Sequence, residues 1–154
     1  MEKQVQSNKI LKLLIISVLT MCMTITSFVF DFTKASAATD EVALSSTNTK
    51  MIDAAGGLTV YKLTAKIKVK NLAYDKKVTL HYYDSYGLSK WTETEATYKY
   101  SLDDGYEIWE VSAVYAGDYL QFAIEYEVNG QTYWDNNNQK DYFVYKEHNK
   151  TVNY

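Results

Sequence analysis

Apolar and polar residues alternate with a period of two along much of the chain. Between residues 63 and 70, Leu, Ala, Ile and Val alternate with Thr and Lys, and residues 78–82 and 120–128 repeat the pattern. This alternation predicts β-strands with one face on a core and one in water, and such sheets are usually antiparallel. The predicted inward residues are Leu63, Ala65, Ile67, Val69, Trp109, Val111, Ala113, Leu120, Phe122, Ile124, Tyr126 and Val128.

Turn signals separate these strands. Asn129-Gly130 suits a two-residue turn with positive φ at both positions, which would fold residues 122–128 back against residues 131–134. A last strand is predicted at Tyr142–Tyr145. Seven or eight short strands separated by turns predict an all-β, antiparallel β-sandwich.

The amino-terminal region has the pattern of an export signal. Three lysines precede the apolar stretch Leu13–Phe30, and Ala35-Ser36-Ala37 then offers a small-x-small cleavage site. We therefore expect a secreted protein that starts at Ala38, with an uncleaved anchor as the alternative. The predicted segments are a signal peptide at 1–37, a flexible leader at 38–49, the sandwich at 50–146 and a polar tail at 147–154.

Composition narrows the chemistry further. Cys22 is the only cysteine and lies in the predicted signal peptide, so the exported domain would have no thiol for a disulfide, a zinc site or a nucleophile. All sixteen basic residues are lysines, and beyond the predicted signal peptide there are twelve lysines and seventeen acidic residues. Nucleic acid and anionic membranes are poor partners for such an acidic domain. The absence of arginine, together with the export signal, favours a bacterial origin.

The sequence gives little support for catalysis. His81 and His148 are too few for a three-histidine metal site, and we expect His81 on the surface and His148 in a mobile tail. The pairs Asp103-Asp104 and Glu93/Glu95 are typical of solvated charges, and no loop has the ligand spacing of a calcium site. We expect no enzyme activity, no metal and no cofactor.

The run from Gln131 to Asn138 sets aromatic rings beside side-chain amides. A pyranose ring has an apolar C–H face that packs on an aromatic ring, and its hydroxyls both donate and accept hydrogen bonds, as an Asn amide does. This run therefore indicates sugar recognition. The alternative is a turn, because Asn tolerates left-handed backbone and bonds its own chain.

Three motifs carry a resemblance to a known family. Residues 69–78, residues 122–130, and residues 133–138 followed by Tyr142 resemble the family 21 carbohydrate-binding modules, with similarity from about residue 58 to 144. These include the starch-binding modules of fungal glucoamylases and the glycogen-targeting domains of protein phosphatase 1 regulatory subunits. The resemblance implies an immunoglobulin-like antiparallel sandwich that binds α-1,4-glucans, without cleaving them, through two surface sites.

The resemblance also implies roles for individual residues. In the first site the stacking rings would be Tyr74, Tyr98 and Tyr106, and the hydrogen-bonding partners would be Asn71, Lys76, Glu107 and Asn136. In the second site the rings would be Trp91 and Trp134, with Tyr133 as a further candidate, while Asn137 and Asn138 would shape the loop between the sites. Trp109 is assigned to the core.

Three departures from the family pattern affect these expectations. Ala123 stands where some members carry an outer-face aromatic ring, so the second site is expected to be weaker. Asp141 replaces the Asn usual before the closing Tyr, which keeps an acceptor and loses a donor. The loop Tyr83–Lys90 departs from the family pattern, and Trp91 could instead cover the end of the sandwich.

The sequence predicts a secreted, non-catalytic module that binds starch, glycogen or malto-oligosaccharides, either alone or with a secreted amylase in trans. Shallow sites bind weakly, but two sites on one polymer can compensate through avidity. The main alternative is a cell-surface or matrix domain that binds a protein partner. A small hydrolase is the third reading, and release of reducing sugar from starch would favour it.

Overall fold

Ten antiparallel strands form two sheets in the computed structural model, which describes residues 40–87, 90–146 and 150–154. The strands are β1 (Val42–Ala55), β2 (Leu58–Lys70), β3 (Lys76–Asp84), β4 (Thr92–Glu95), β5 (Thr97–Ser101), β6 (Tyr106–Ala116), β7 (Tyr119–Val128), β8 (Gln131–Asp135), β9 (Tyr142–Tyr145) and β10 (Lys150–Asn153). The first sheet has the order β10-β1-β2-β6-β5, and the second has the order β4-β3-β7-β8. In the described ranges, no helix is long and apolar enough to cross a membrane.

Strands β8 and β9 lie end to end along one edge of β7. β8 pairs with Ile124–Val128 and β9 pairs with Tyr119–Phe122, while β3 pairs along the other edge. The loop 136–141 therefore leaves the sheet between two strands that continue one another. This arrangement places the predicted amide cluster at the edge of the second sheet.

The alternating pattern places the core between the two sheets, as predicted. In β2 and β7 every predicted inward residue is buried, and Trp109 packs half-buried against the same core. Asn129 and Gly130 have φ values of 53° and 71°, which confirms the predicted hairpin turn. The predicted β-sandwich is confirmed, with ten strands instead of seven or eight.

The flexible leader predicted at 38–49 is wrong from Val42 onward, because those residues belong to β1. These residues are mostly small and polar, so the sequence does not show that they also alternate between the core and the surface. Thr47 and Thr49 point inward and are buried. The polar tail is also ordered in part, since β10 pairs with Ser46–Thr49 of β1. His148 and the predicted signal peptide lie outside the described residues.

A buried carboxylate connects β8 to the first sheet. Asp135 accepts hydrogen bonds from the Leu44 backbone N–H at 2.6 Å and from the Tyr142 hydroxyl at 2.9 Å to each oxygen. Burial, and then the charge of Asp135, raise the pKa of the Tyr142 phenol well above its usual value. Asp135 therefore fixes the start of the loop 136–141 against the sandwich.

Candidate functional site

An open groove of about 1420 Å³ lies where β2 passes into β3. Its lining comes from residues 71–77, from residues 127–130 around the β7–β8 turn, and from Tyr98, Glu107 and Trp109 of β5 and β6. The 71–77 segment is tied down at its start. The Asn71 N–H donates to the Gly105 carbonyl at 3.0 Å, and the Tyr126 hydroxyl donates to the Lys70 carbonyl at 2.7 Å.

A buried ion pair forms the polar centre of the groove. Lys76 Nζ donates to Glu107 Oε2 at 2.9 Å and to Asn71 Oδ1 at 2.6 Å. The Lys76 and Glu107 side chains are only 4% and 9% exposed. Trp109 Nε1 donates to the same Glu107 oxygen at 2.9 Å. These three contacts fix the positions of the polar groups before any ligand arrives.

The rings of the groove contrast with this buried centre. Tyr74 is 97% exposed, and its turn-like segment places it away from the core. Tyr98 is half-exposed, and its ring packs against Trp109 in an edge-to-face contact with centroids 6.1 Å apart. The Tyr98 hydroxyl lies 3.1 Å from Ser101 Oγ. The groove thus offers one free ring and one ring held in place.

Five of the seven residues predicted for the first site line this groove, namely Asn71, Tyr74, Lys76, Tyr98 and Glu107.

Tyr106 is not in this lining set, because alternation along β6 turns it to the face opposite Glu107. There its ring lies over Lys68 Nζ, 4.1 Å from the ring centroid. Lys68 also donates to Asp104 at 2.8 Å, and this hydrogen bond lowers the pKa of the Asp104 carboxyl.

Asn136, the last of the seven predicted residues, forms a side-chain hydrogen bond within its own loop. Its Oδ1 accepts from the Gln139 N–H at 2.9 Å, and Asn137 Nδ2 donates to the Asp141 carbonyl at 3.0 Å. Asn137, Asn138, Gln139 and Asp141 all have positive φ, between 51° and 67°. Asn is enriched at such positions because its short polar side chain tolerates the left-handed region. The amide cluster therefore forms a turn.

The second predicted site lies on the face of the second sheet that is turned away from the core, here called the outer face. Trp91 is 47% exposed, and its ring centroid lies 6.5 Å from that of Tyr83. Trp134 is half-buried and packs on His81, with centroids 4.9 Å apart. Because His81 and Tyr83 are two residues apart on β3, their side chains share this face. The two tryptophans are thus connected through neighbouring β3 residues.

Carboxylates surround the imidazole on this face. His81 Nε2 lies 2.8 Å from Glu125 Oε2, and Nδ1 lies 3.5 Å from Glu93 Oε1. His81 is therefore on the surface side of its strand, as predicted, although it is partly covered. In the described part of the chain, no group of three His, Cys, Asp or Glu side chains could hold a metal ion.

Tyr133 and Ala123 define the limits of the second site. Tyr133 packs against the core beside Tyr126, with ring centroids 6.0 Å apart, so it lies on the face opposite Trp134. Ala123 is the register partner of His81 and is buried. No ring stands at position 123, which leaves a gap in the aromatic surface.

Sequence reasoning missed two aromatic residues of these surfaces. Parity assigns Trp109 to the core, and Trp109 does pack there, but near the start of β6 it also lines the groove. Tyr83 is hard to identify from the sequence, because it stands at the start of a segment that departs from the family pattern, although the structure places it in β3. Its place two residues after His81 in an alternating strand is the signal that could have identified it.

Residues 36–145 match the family described as carbohydrate/starch-binding module (family 21). Glucoamylase 1 of Rhizopus oryzae is 43% identical over 86 residues, which are 53% of this chain and 14% of that protein. Protein phosphatase 1 regulatory subunit 3B of Bos taurus is 31% identical over 146 residues, covering 77% of this chain and 44% of that protein. The chain therefore spans less than half the length of these relatives.

One solved structure, of a single domain, matches this chain over nearly the whole length of that domain. The starch binding domain of Rhizopus oryzae glucoamylase, in complex with beta-cyclodextrin and maltoheptaose, is 33% identical and superposes with a TM-score of 0.51. The match covers 72% of this chain and 95% of that domain.

Proposed function

Since the chain belongs to the carbohydrate/starch-binding modules of family 21, we propose that it is a secreted, non-catalytic module for α-1,4-glucans such as starch, glycogen and malto-oligosaccharides. One observation carries this proposal: the exposed Tyr74 ring stands beside the buried Lys76–Glu107 pair in an open groove. The solved relative is a starch-binding domain in complex with maltoheptaose, which supports the same ligand class.

In the groove, the ring and the polar centre would act on different parts of a glucose unit. The C–H face of the pyranose would pack on Tyr74, because aromatic faces favour such apolar contacts. An ammonium has three donors, of which Asn71 and Glu107 accept two. The third donor of Lys76 and the amide NH₂ of Asn71 would bind sugar hydroxyls.

The outer face would supply a second site through Trp91 and Tyr83. Two shallow sites on one long polymer raise avidity, because the second engagement is intramolecular. With no ring at Ala123, we expect this face to contribute less than the groove for short ligands. The second site would contribute most to binding on granular starch, where glucan chains are long and closely spaced.

A non-catalytic role fits the carboxylates of the groove. Glycoside hydrolysis requires two carboxyl groups flanking the scissile bond, one of them free to exchange a proton. Glu107 instead accepts hydrogen bonds from both Lys76 and Trp109, which fix its side chain in place. We therefore expect no release of reducing sugar from starch.

The test is retention on granular starch, with cellulose as the control polymer. The unchanged protein should be retained by starch only, and Tyr74→Ala and Trp91→Ala should each weaken retention. Tyr100→Ala is the matched control, because Tyr100 is an exposed β5 ring outside both sites. If neither Tyr74→Ala nor Trp91→Ala weakened retention on starch, the proposal would be contradicted. Equal binding to cellulose would contradict it as well.

Secretion has its own test. If residues 1–37 are a signal peptide, the exported product should begin at Ala38, which amino-terminal sequencing would show. A product that keeps Met1 and stays with the membrane would point to an uncleaved anchor instead. Added amylase should then reveal whether the module aids an enzyme in trans, as faster starch hydrolysis in its presence.

A further inference from the structure

A third group of rings lies on the outer face, at the end where β7 begins and β9 ends. Phe143 and Tyr145 are 40% and 58% exposed, and their ring planes are 22° apart with centroids 6.5 Å apart. The ring of Tyr119 lies 5.6 Å from Phe143 and 6.2 Å from Tyr145, at steep angles to both. Exposed rings held against one another in this way form a rigid apolar surface. We call these three residues the β9 platform.

Strand pairing explains why the β9 platform forms. Tyr119 pairs with Tyr145 and Gln121 pairs with Phe143, so the three rings project from the same face of adjacent strands. The intervening residue Val144 faces the core, which anchors the strand that carries the two exposed rings. The platform is therefore a consequence of period-two alternation continued onto the last strand of this sheet.

The β9 platform is continuous with the Trp91 surface. Gln121 pairs with Tyr83 on one side and with Phe143 on the other, so it bridges the two sets of rings. Past the end of β3, Ser85 Oγ accepts from the N–H groups of Asp118 and Tyr119, at 2.7 Å and 3.1 Å. The segment that follows Tyr83 is thus fastened directly to the start of β7.

Polar groups border the β9 platform. Gln121 Nε2 donates to Asp141 Oδ2 at 2.7 Å, on the side of the loop 136–141. Lys146 forms an ion pair with Asp118 at the opposite end. Rings bordered by fixed donors and acceptors suit a ligand with an apolar face and a hydroxyl edge, which is the chemistry of a pyranose.

We propose that Tyr119, Phe143 and Tyr145 form a third glucan subsite, which binds glucose units of the same α-glucan chain that occupies Trp91 and Tyr83. This inference rests on the proposed function. It assigns these three rings, which lie on β7 and β9, to the stacking role that Ala123 lacks. The outer face would then serve long chains, because its two groups of rings lie two strands apart.

The experiment compares long and short ligands with the full chain and its variants. Phe143→Ala/Tyr145→Ala should lower the affinity for amylose by about five- to tenfold, since each ring contributes a modest stacking free energy. Affinity for maltotriose, which fits within one site, should change less than about twofold, because the groove is untouched. Isothermal titration calorimetry measures both, and Tyr100→Ala is the matched control.

A second variant separates ring chemistry from folding. Phe143→Leu/Tyr145→Leu keeps apolar bulk on β9 but removes the aromatic faces, so it should lose amylose affinity as the alanine variant does. Unchanged amylose affinity in both variants, with Trp91→Ala still weakened, would overturn the third subsite and leave the proposed function standing. If the variants instead abolish self-association of the protein without changing amylose affinity, the platform is an interface between copies, and the inference fails. No glucan binding by the unchanged protein would overturn both.

Discussion

The groove and the outer face are built on opposite principles. In the groove, polar groups hold one another: Lys76, Glu107 and Trp109 share hydrogen bonds, and Tyr74 stands free above them. On the outer face, rings hold one another: Trp134 packs on His81, and Trp91 approaches Tyr83. A buried ion pair therefore fixes the geometry of the groove, whereas the alternation of side chains along the strands decides which rings meet on the outer face.

If both regions bind glucan as proposed, this difference predicts different tasks for them. A fixed ammonium and carboxylate discriminate hydroxyl positions, because an unmatched buried donor or acceptor is costly. Stacked rings discriminate less, but they add apolar contact area wherever a sugar face reaches them. We expect the groove to decide which glucan binds and the outer face to decide how strongly a long chain is held.

The strongest test of this contrast removes the buried charge from the groove. Lys76→Met leaves Glu107 buried without its cation, which should lower the free energy of unfolding by about 3–5 kcal/mol. Lys77→Met is the matched control, because Lys77 is exposed and lies 3.4 Å from Glu95 and 4.0 Å from Glu127, so its loss should destabilise the protein much less than the loss of Lys76. Urea denaturation measures both. Equal losses would show that the groove is not specified by its buried pair.

Alkaline pH should weaken the support beneath the groove. Burial, followed by the charge of Glu107, raises the pKa of Tyr126 to about 12. Because this folded-state pKa exceeds the unfolded value of about 10, the stabilisation is complete below pH 10 and is lost as the pH rises from about 10 to about 12, by about 1.4 kcal/mol per pH unit. Tyr142 should add to the slope in the same sense. Denaturation at several alkaline pH values tests this, and Tyr126→Phe should flatten the slope.

Removing the exposed ring should affect binding alone. Tyr74→Ala should lower the affinity for maltoheptaose about fivefold, because one stacking contact is lost. Its free energy of unfolding should change by less than about 0.5 kcal/mol, since the ring touches little of the core. Calorimetry and urea denaturation give the two values, with Tyr100→Ala as the control. A larger loss for Trp91→Ala than for Tyr74→Ala would reverse the ranking of the two regions.

The smallest expected effect comes from restoring a ring to the outer face. Ala123→Tyr would add a ring beside His81 and should raise the affinity for amylose about two- to threefold, at the lower end of a stacking contribution. Ala123→Leu adds bulk without an aromatic face and should not raise it. Affinity electrophoresis in amylose gels can resolve such changes. An equal gain from leucine would mean that apolar area, and not stacking, limits this face.

Much of the fold could be predicted because its signal is local. The inward residues of β2 and β7 follow from period two, and the Asn129-Gly130 turn follows from two residues that accept positive φ. Residues 42–49 of β1, and β10, could not be predicted, because the inward positions of β1 include threonines and the pairing of the two strands joins residues distant in sequence. Tertiary context makes them strands.

The candidate site shows the same division. The resemblance identified Asn71, Tyr74 and Lys76 within one short motif, and the structure gathers them in one groove. Tyr106 and Asn136 lie outside the groove lining for backbone reasons, since strand parity turns Tyr106 to the opposite face and a left-handed turn uses the amide of Asn136. Side-chain type indicates chemistry, but only backbone geometry decides where that chemistry is available.

The pairing of β1 with β10 also bears on how fast the protein can fold. Asn48 Nδ2 donates to Thr151 Oγ1 across a separation of 103 residues, and the same two strands form one edge of the first sheet. Such distant pairing makes loop closure slow, which places all-β sandwiches among the slower two-state folders. On the ribosome, this edge of the first sheet stays unpaired until β10 emerges.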